Sequence, residues 1–127
     1  GSMALSKVGL RPFAFDVDAS LLSRGLHSGR LQTWSTAHLD ATKASQYLER
    51  APFALMLMAG DISVGNFWIW KIIFEQVLLI ADQVMVTVGT NEEAEMLRSW
   101  AEAKGRTPRV FENERDPFYD RWVCAVD

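Results

Sequence analysis

The chain has 127 residues, 49% of them hydrophobic and 23% charged, with a formal net charge of −3. That length supports one hydrophobic core, and lysines and arginines scattered through a net acidic chain leave no footprint for nucleic acid. Cys124 is the only cysteine, which excludes an internal disulfide. In the apolar run 122–126 it reads as a small core residue on a strand rather than a nucleophile.

The opening Gly1-Ser2-Met3 reads as a cloning remnant and is set aside, leaving residues 4–127 as one expected domain. No charged-then-apolar leader follows, so the expectation is a cytoplasmic protein. Pro12 precedes a first predicted strand, 13–17, in which Phe13, Phe15 and Val17 alternate toward one face. Residues 18–35 are read as a short helical turn around Leu21, Leu22 and Leu26, then a short strand over 31–35. Ser35 or Thr36 is placed as the cap of a helix running to Arg50, which Pro52 stops.

Residues 53–89 organise the rest. Two continuously apolar runs of strand length, 53–59 and 84–88, flank a helix-length segment over 67–81, the pattern of a βαβ crossover with strands buried on both faces. In that helix the strongly polar residues are Lys71, Glu75 and Gln76, and Asp82 lies just beyond it. A helix apolar nearly all round is deeply buried or covered by another surface. It falls short of the ~20 apolar residues a membrane span needs, so no membrane is expected. Thr90-Asn91-Glu92-Glu93 spells a capping box that opens a helix over 91–104, and Lys104-Gly105 ends it. Strands follow at 108–111 and 122–126. The alternation predicts a three-layer α/β domain with a mostly parallel sheet of four to five strands and about three helices.

One candidate for chemistry is the loop Gly60-Asp61-Ile62-Ser63-Val64-Gly65-Asn66. It follows a strand and precedes a helix, where open α/β sheets bind ligands and free amides can hold an anion. It lacks lysine and arginine and matches neither common phosphate-binding fingerprint. The plain reading is a glycine-shaped turn in which Ser63 or Asn66 caps the helix. His27 and His38 stand isolated in sequence, without partners at zinc-ligand spacing.

A second stretch, Asp16-Val17-Asp18-Ala19-Ser20-Leu21-Leu22, is an apolar strand ending in Asp-x-Asp, then a small hydroxylic residue and leucines. It resembles the first motif of haloacid-dehalogenase-like phosphatases. The resemblance implies Asp16 as nucleophile, Asp18 as acid/base and Asp61 as part of the later acidic motif that holds magnesium. Ala19 stands where that family has glycine, and Gly65 where it has a further aspartate. Read alone, Asp16 is a solvent-facing strand residue and Asp18 caps a turn.

The expectation drawn from all this is a non-enzymatic protein-interaction domain, a small intracellular adaptor or an inhibitor of the immunity-protein type. It carries no cofactor or metal. It self-associates as a homodimer through the apolar helix, with Phe67, Trp68, Trp70 and Ile73 at the contact. Phe118 and Tyr119, on a loop mixing acids with aromatics, form a second patch suited to another protein. The alternative is a small metal-dependent phosphoryl-transfer or ligand-binding enzyme. It would use Asp16, Asp18 and Asp61 around magnesium at the strand carboxyl ends.

Overall fold

A computed structural model describes residues 2–57, 59 and 61–127. Gly60, at the head of the loop singled out above, lies outside the described residues, as do Gly1 and Met58. The chain forms two units, one ending at Lys43 and the other running from Ala44 to Asp127.

The first unit holds helix α1 (Ser2–Lys7), strand β1 (Ala14–Asp16), helix α2 (Ala19–His27) and strand β2 (Thr36–His38). The two strands pair in parallel, Ala14 with Thr36 and Asp16 with His38, as a sheet of their own. Helix α2 begins where Asp18 accepts hydrogen bonds from the Ser20 and Leu21 amides, and Leu22 is its buried anchor. The predicted first strand is therefore shorter than 13–17, and Phe13 and Val17 are exposed rather than packed on one face.

The helix expected from Ser35 or Thr36 to Arg50 is largely absent. Thr36–His38 is strand, and the Thr36 hydroxyl donates to the Gln32 carbonyl at 2.8 Å. Asp40 is the residue that starts helical structure, its carboxylate accepting from the Thr42 amide at 2.9 Å and hydroxyl at 2.7 Å. A single 3-10 turn, Ala41–Lys43, follows.

The second unit begins with short helix α3 (Ala44–Tyr47) and strand β3 (Ala51–Met56). It continues through helix α4 (Phe67–Ile80), strand β4 (Ala81–Val88), helix α5 (Asn91–Glu102), strand β5 (Pro108–Glu112) and strand β6 (Trp122–Val126). The sheet order is β3-β4-β6-β5. β3 and β4 are parallel, whereas β6 runs against both of its neighbours. The protein is thus α/β, but this sheet is mixed rather than mostly parallel, and the described residues hold five helices rather than three. The segment between β5 and β6 carries no helix, and a parallel return needs a long crossover. The antiparallel pairing follows from that.

The core lies on one face of this sheet. Val84, Val86, Val88, Cys124 and Val126 alternate toward it, and Phe74, Val77 and Leu78 of α4 join Leu97 and Trp100 of α5 over them. Both helices therefore cover the same side of the sheet. The rings of Phe74 and Trp100 meet at 6.3 Å with a 48° tilt, a favoured aromatic geometry.

Helix α4 runs into β4 with no intervening loop. The carbonyls stranded at its end are met by Arg106, whose guanidinium donates to Leu78 O at 3.0 Å, to Ala81 O at 3.4 Å and to Asp82 O. Its Nε donates to Asp127 O at 3.0 Å, tying in the last residue. No helix of the described residues is long and apolar enough to cross a membrane.

Candidate functional site

Helix α4 presents two different sides. Phe74, Val77, Leu78 and Ile80 are buried, and half-buried Trp70 packs against the core from the same helix. Trp68, Ile72, Glu75 and Leu79 follow one another at helical spacing, so they share a stripe. Trp68 is 56% exposed, and Ile72 and Leu79 are exposed beside it. Glu75 is held by Lys104 at 3.2 Å. Of the predicted contact residues, Phe67 and Trp68 face water while Trp70 and Ile73 are half-buried. Sequence periodicity points to 68 and 72 as readily as to 70 and 73. What decides between them is which side the sheet occupies.

The loop ahead of α4 is closed by its own side chains. Asn66 occupies the cap position without making a capping bond. Its amide instead donates to the Asp61 carbonyl at 2.6 Å and its carbonyl accepts from the Ser63 amide at 2.8 Å. The Ile62 amide donates to Glu93 Oε1 at 2.8 Å. The place where a bound anion would sit is thus taken in part by the protein's own carboxylate. Glu93 is 7% exposed, and its other oxygen accepts from the Thr90 amide at 2.9 Å and hydroxyl at 3.0 Å. The Thr90 hydroxyl in turn accepts from the Glu93 amide, completing the expected capping box. Thr90→Ala should cost about 1 kcal/mol of stability through loss of the cap. A melt indistinguishable from wild type would show that the box contributes nothing.

The three aspartates of the enzymatic reading have local tasks. Asp16 accepts from the Asp18 amide at 2.8 Å. Asp18 caps α2, and the Ser20 hydroxyl, then the Leu21 and Ser20 amides, hold its carboxyl below the ordinary value of 3.8. A proton donor working near neutrality needs the opposite shift. Asp61 belongs to the second unit and offers its carbonyl to Asn66. Among the described residues no group of three or more histidine, cysteine, aspartate or glutamate side chains is arranged to hold a metal ion.

Cys124 is fully buried, and burial pushes its thiol up to about 12, with the Glu95 charge adding to the effect. A thiol there is almost wholly protonated at neutral pH. Alkylation by iodoacetamide should therefore proceed only as fast as the protein unfolds. Rapid labelling of the folded chain would contradict the assigned environment.

The loop between β5 and β6 shows Phe118 and Tyr119 to solvent, the former 81% exposed. It is not slack. Asp116 accepts from both of their amides, at 3.1 and 3.0 Å, and Asn113 spans the loop by donating to the Asp120 carbonyl at 3.0 Å. Thr87 on β4 donates to Asp120, and Arg121 pairs with Glu112 at 2.9 Å.

The first unit adds a feature that spacing alone hides. His27 and His38 line one open cavity of about 440 Å³ between α2 and β2. His38 Nε2 lies 2.8 Å from the Val17 carbonyl. A carbonyl only accepts, so that nitrogen carries the proton.

No protein-family profile matches the chain, and no characterised protein shows significant similarity to it. The likeness of the Asp16–Leu22 stretch to phosphatases stands without support from either comparison.

Proposed function

We propose that the protein is an interaction domain that self-associates through α4, two copies meeting around a two-fold axis. The supporting observation is the stripe of Trp68, Ile72 and Leu79 left in water on a helix whose other side is already packed. Exposed apolar side chains sharing one side of a helix mark interaction surfaces, and like-with-like pairing is the commonest solution. With the axis between Ile73 and Phe74, antiparallel helices bring Trp68 of one copy to Leu79 of the other, while Glu75 keeps its pair with Lys104. Phe118 and Tyr119, fixed on their stitched loop, supply a second contact point for another protein, a pair of rigid aromatics of the kind that dominates binding energy.

Light scattering across a dilution series tests this. The expected result is a dimer mass at high concentration that falls on dilution. Trp68→Ser combined with Leu79→Ser should give a monomer throughout, and should melt within about 1 kcal/mol of wild type when both are diluted to where the wild type is itself monomeric. A wild-type monomer mass that holds at the highest concentration reached would sink the proposal.

A further inference from the structure

At the amino-terminal ends of the parallel strands β1 and β2 the first unit opens a cavity of about 470 Å³, within the range of small-molecule sites. Arg11 and Phe13 reach it from the chain leading into β1, and Arg30, Gln32 and Trp34 from the chain leading into β2. Trp34 is 79% exposed and Phe13 is exposed with it. Neither Arg11 nor Arg30 forms an ion pair or a side-chain hydrogen bond among the described residues, although six such ion pairs join other side chains.

The charge of the chain is unevenly divided in the same sense. Residues 1–43 carry five lysines and arginines against three aspartates, and residues 44–127 carry eight against thirteen acids, giving +2 and −5. The aspartates of the first unit also lie away from this cavity along the chain. Asp16, Asp18 and Asp40 sit at or beyond the carboxyl ends of the two strands, where Asp18 and Asp40 bond to Ser20 and Thr42.

From this we infer that the cavity binds a free nucleotide, a phosphate joined to a flat heterocycle. Two guanidiniums without carboxylate partners offer forked donors that match phosphate oxygens. An indole left open to solvent is a stacking platform that accepts any base. Gln32 supplies an amide that both donates and accepts, suited to the edge of a base or a ribose hydroxyl. Phosphate alone would leave the aromatic surface unused, and a nucleoside alone would leave the arginines unused. The site lies at the opposite ends of the strands from Asp16 and Asp18, so it is separate from the acidic arrangement of the enzymatic reading. It is also independent of self-association through α4.

Calorimetric titration of the full chain tests the inference, with 5′-AMP as probe and adenosine, inorganic phosphate and a single-stranded oligonucleotide as comparisons. Saturable binding of 5′-AMP is expected, with adenosine and phosphate each at least about tenfold weaker. Arg11→Gln and Arg30→Gln should each weaken 5′-AMP at least about tenfold. Trp34→Ala should weaken it roughly five- to a hundredfold and affect phosphate little. Because these side chains lie on the surface, the variants should melt as wild type does. Trp34→Phe, which keeps a stacking face, should retain most of the affinity and serves if the alanine variant fails to fold. Three results would each overturn the inference. They are no saturable heat with 5′-AMP into the millimolar range, affinity unchanged in the double arginine variant, and an oligonucleotide binding far more tightly than the mononucleotide.

Discussion

Phe74→Ala is expected to remove about 3–5 kcal/mol of stability, the range for truncating a buried aromatic, and therefore a large part of the roughly 5–15 kcal/mol that holds a small domain together. Phe74 is 0% exposed, its ring meets Trp100, and the helix above it cannot collapse without disturbing Val77 and Leu78. The informative comparison is Trp68→Ala on the same helix. That indole is mostly in water within one copy, so at a dilution where the wild type is monomeric its loss should leave the unfolding free energy within about 1 kcal/mol of wild type, and at higher concentration act on association instead. Denaturant titration of the two variants separates the sides of α4. Equal destabilisation by both would mean that the division between packed side and open stripe is misplaced.

The second large effect is expected at Arg106. Replacing it with methionine keeps much of the aliphatic stem but leaves the carbonyls of Leu78, Ala81, Asp82 and Asp127 without this donor. Hydrogen bonds from charged groups are worth about 1.5–3 kcal/mol each at most, and in the variant water satisfies the more exposed of these acceptors, at Asp82 and Asp127. A net loss of about 2–4 kcal/mol is the expected outcome of a denaturant melt. Arg106→Lys should recover only part of it, because an ammonium cannot spread donors over several acceptors as a planar guanidinium does. Full recovery by lysine would mean that charge at the helix end matters and the fork does not.

Much of the second unit was legible in the sequence because its signals are local. The capping box at Thr90 and Glu93 sits where the spacing put it, the strand over Trp122–Val126 has the predicted bounds, and α4 ends one residue short of the expected Ala81. The connectivity was less legible. Strand β6 inserts between β4 and β5, a choice made by side chains far apart in sequence, Val86 against Cys124 and Val110 against Cys124. Nothing in a run of alternating apolar residues says which neighbour it will take.

The failure at residues 36–50 is of another kind. A cap at Ser35 or Thr36 and a stop at Pro52 point to a helix, yet Thr36, Ala37 and His38 pair with Ala14, Phe15 and Asp16. Tertiary pairing overrode propensity, and the true start signal, Asp40 with Thr42, lay four residues further on. The distribution of charge was obscured by averaging. A net charge of −3 hides a division into +2 over residues 1–43 and −5 over residues 44–127, and Arg11 and Arg30 of the first part line one cavity with the exposed Trp34. The same holds for the two histidines, distant in sequence and lining one cavity in the fold.

The junction of α4 and β4 makes the chain act as a ruler. With Ile80 ending the helix and Ala81 opening the strand, no spare residue exists to absorb a change in count. One residue inserted there must either turn the helix by about 100° or slide the strand by one place, which exchanges its two faces. The first option carries Phe74 out from under the sheet. The second sends Val84, Val86 and Val88 to the far side and brings Met85 and Thr87 inward. A glycine inserted between Ile80 and Ala81 should therefore abolish folding of this unit, whereas the same glycine placed among residues 114–119, in the connection between β5 and β6, should be tolerated. A protease-resistance assay on the two insertions would read the contrast directly.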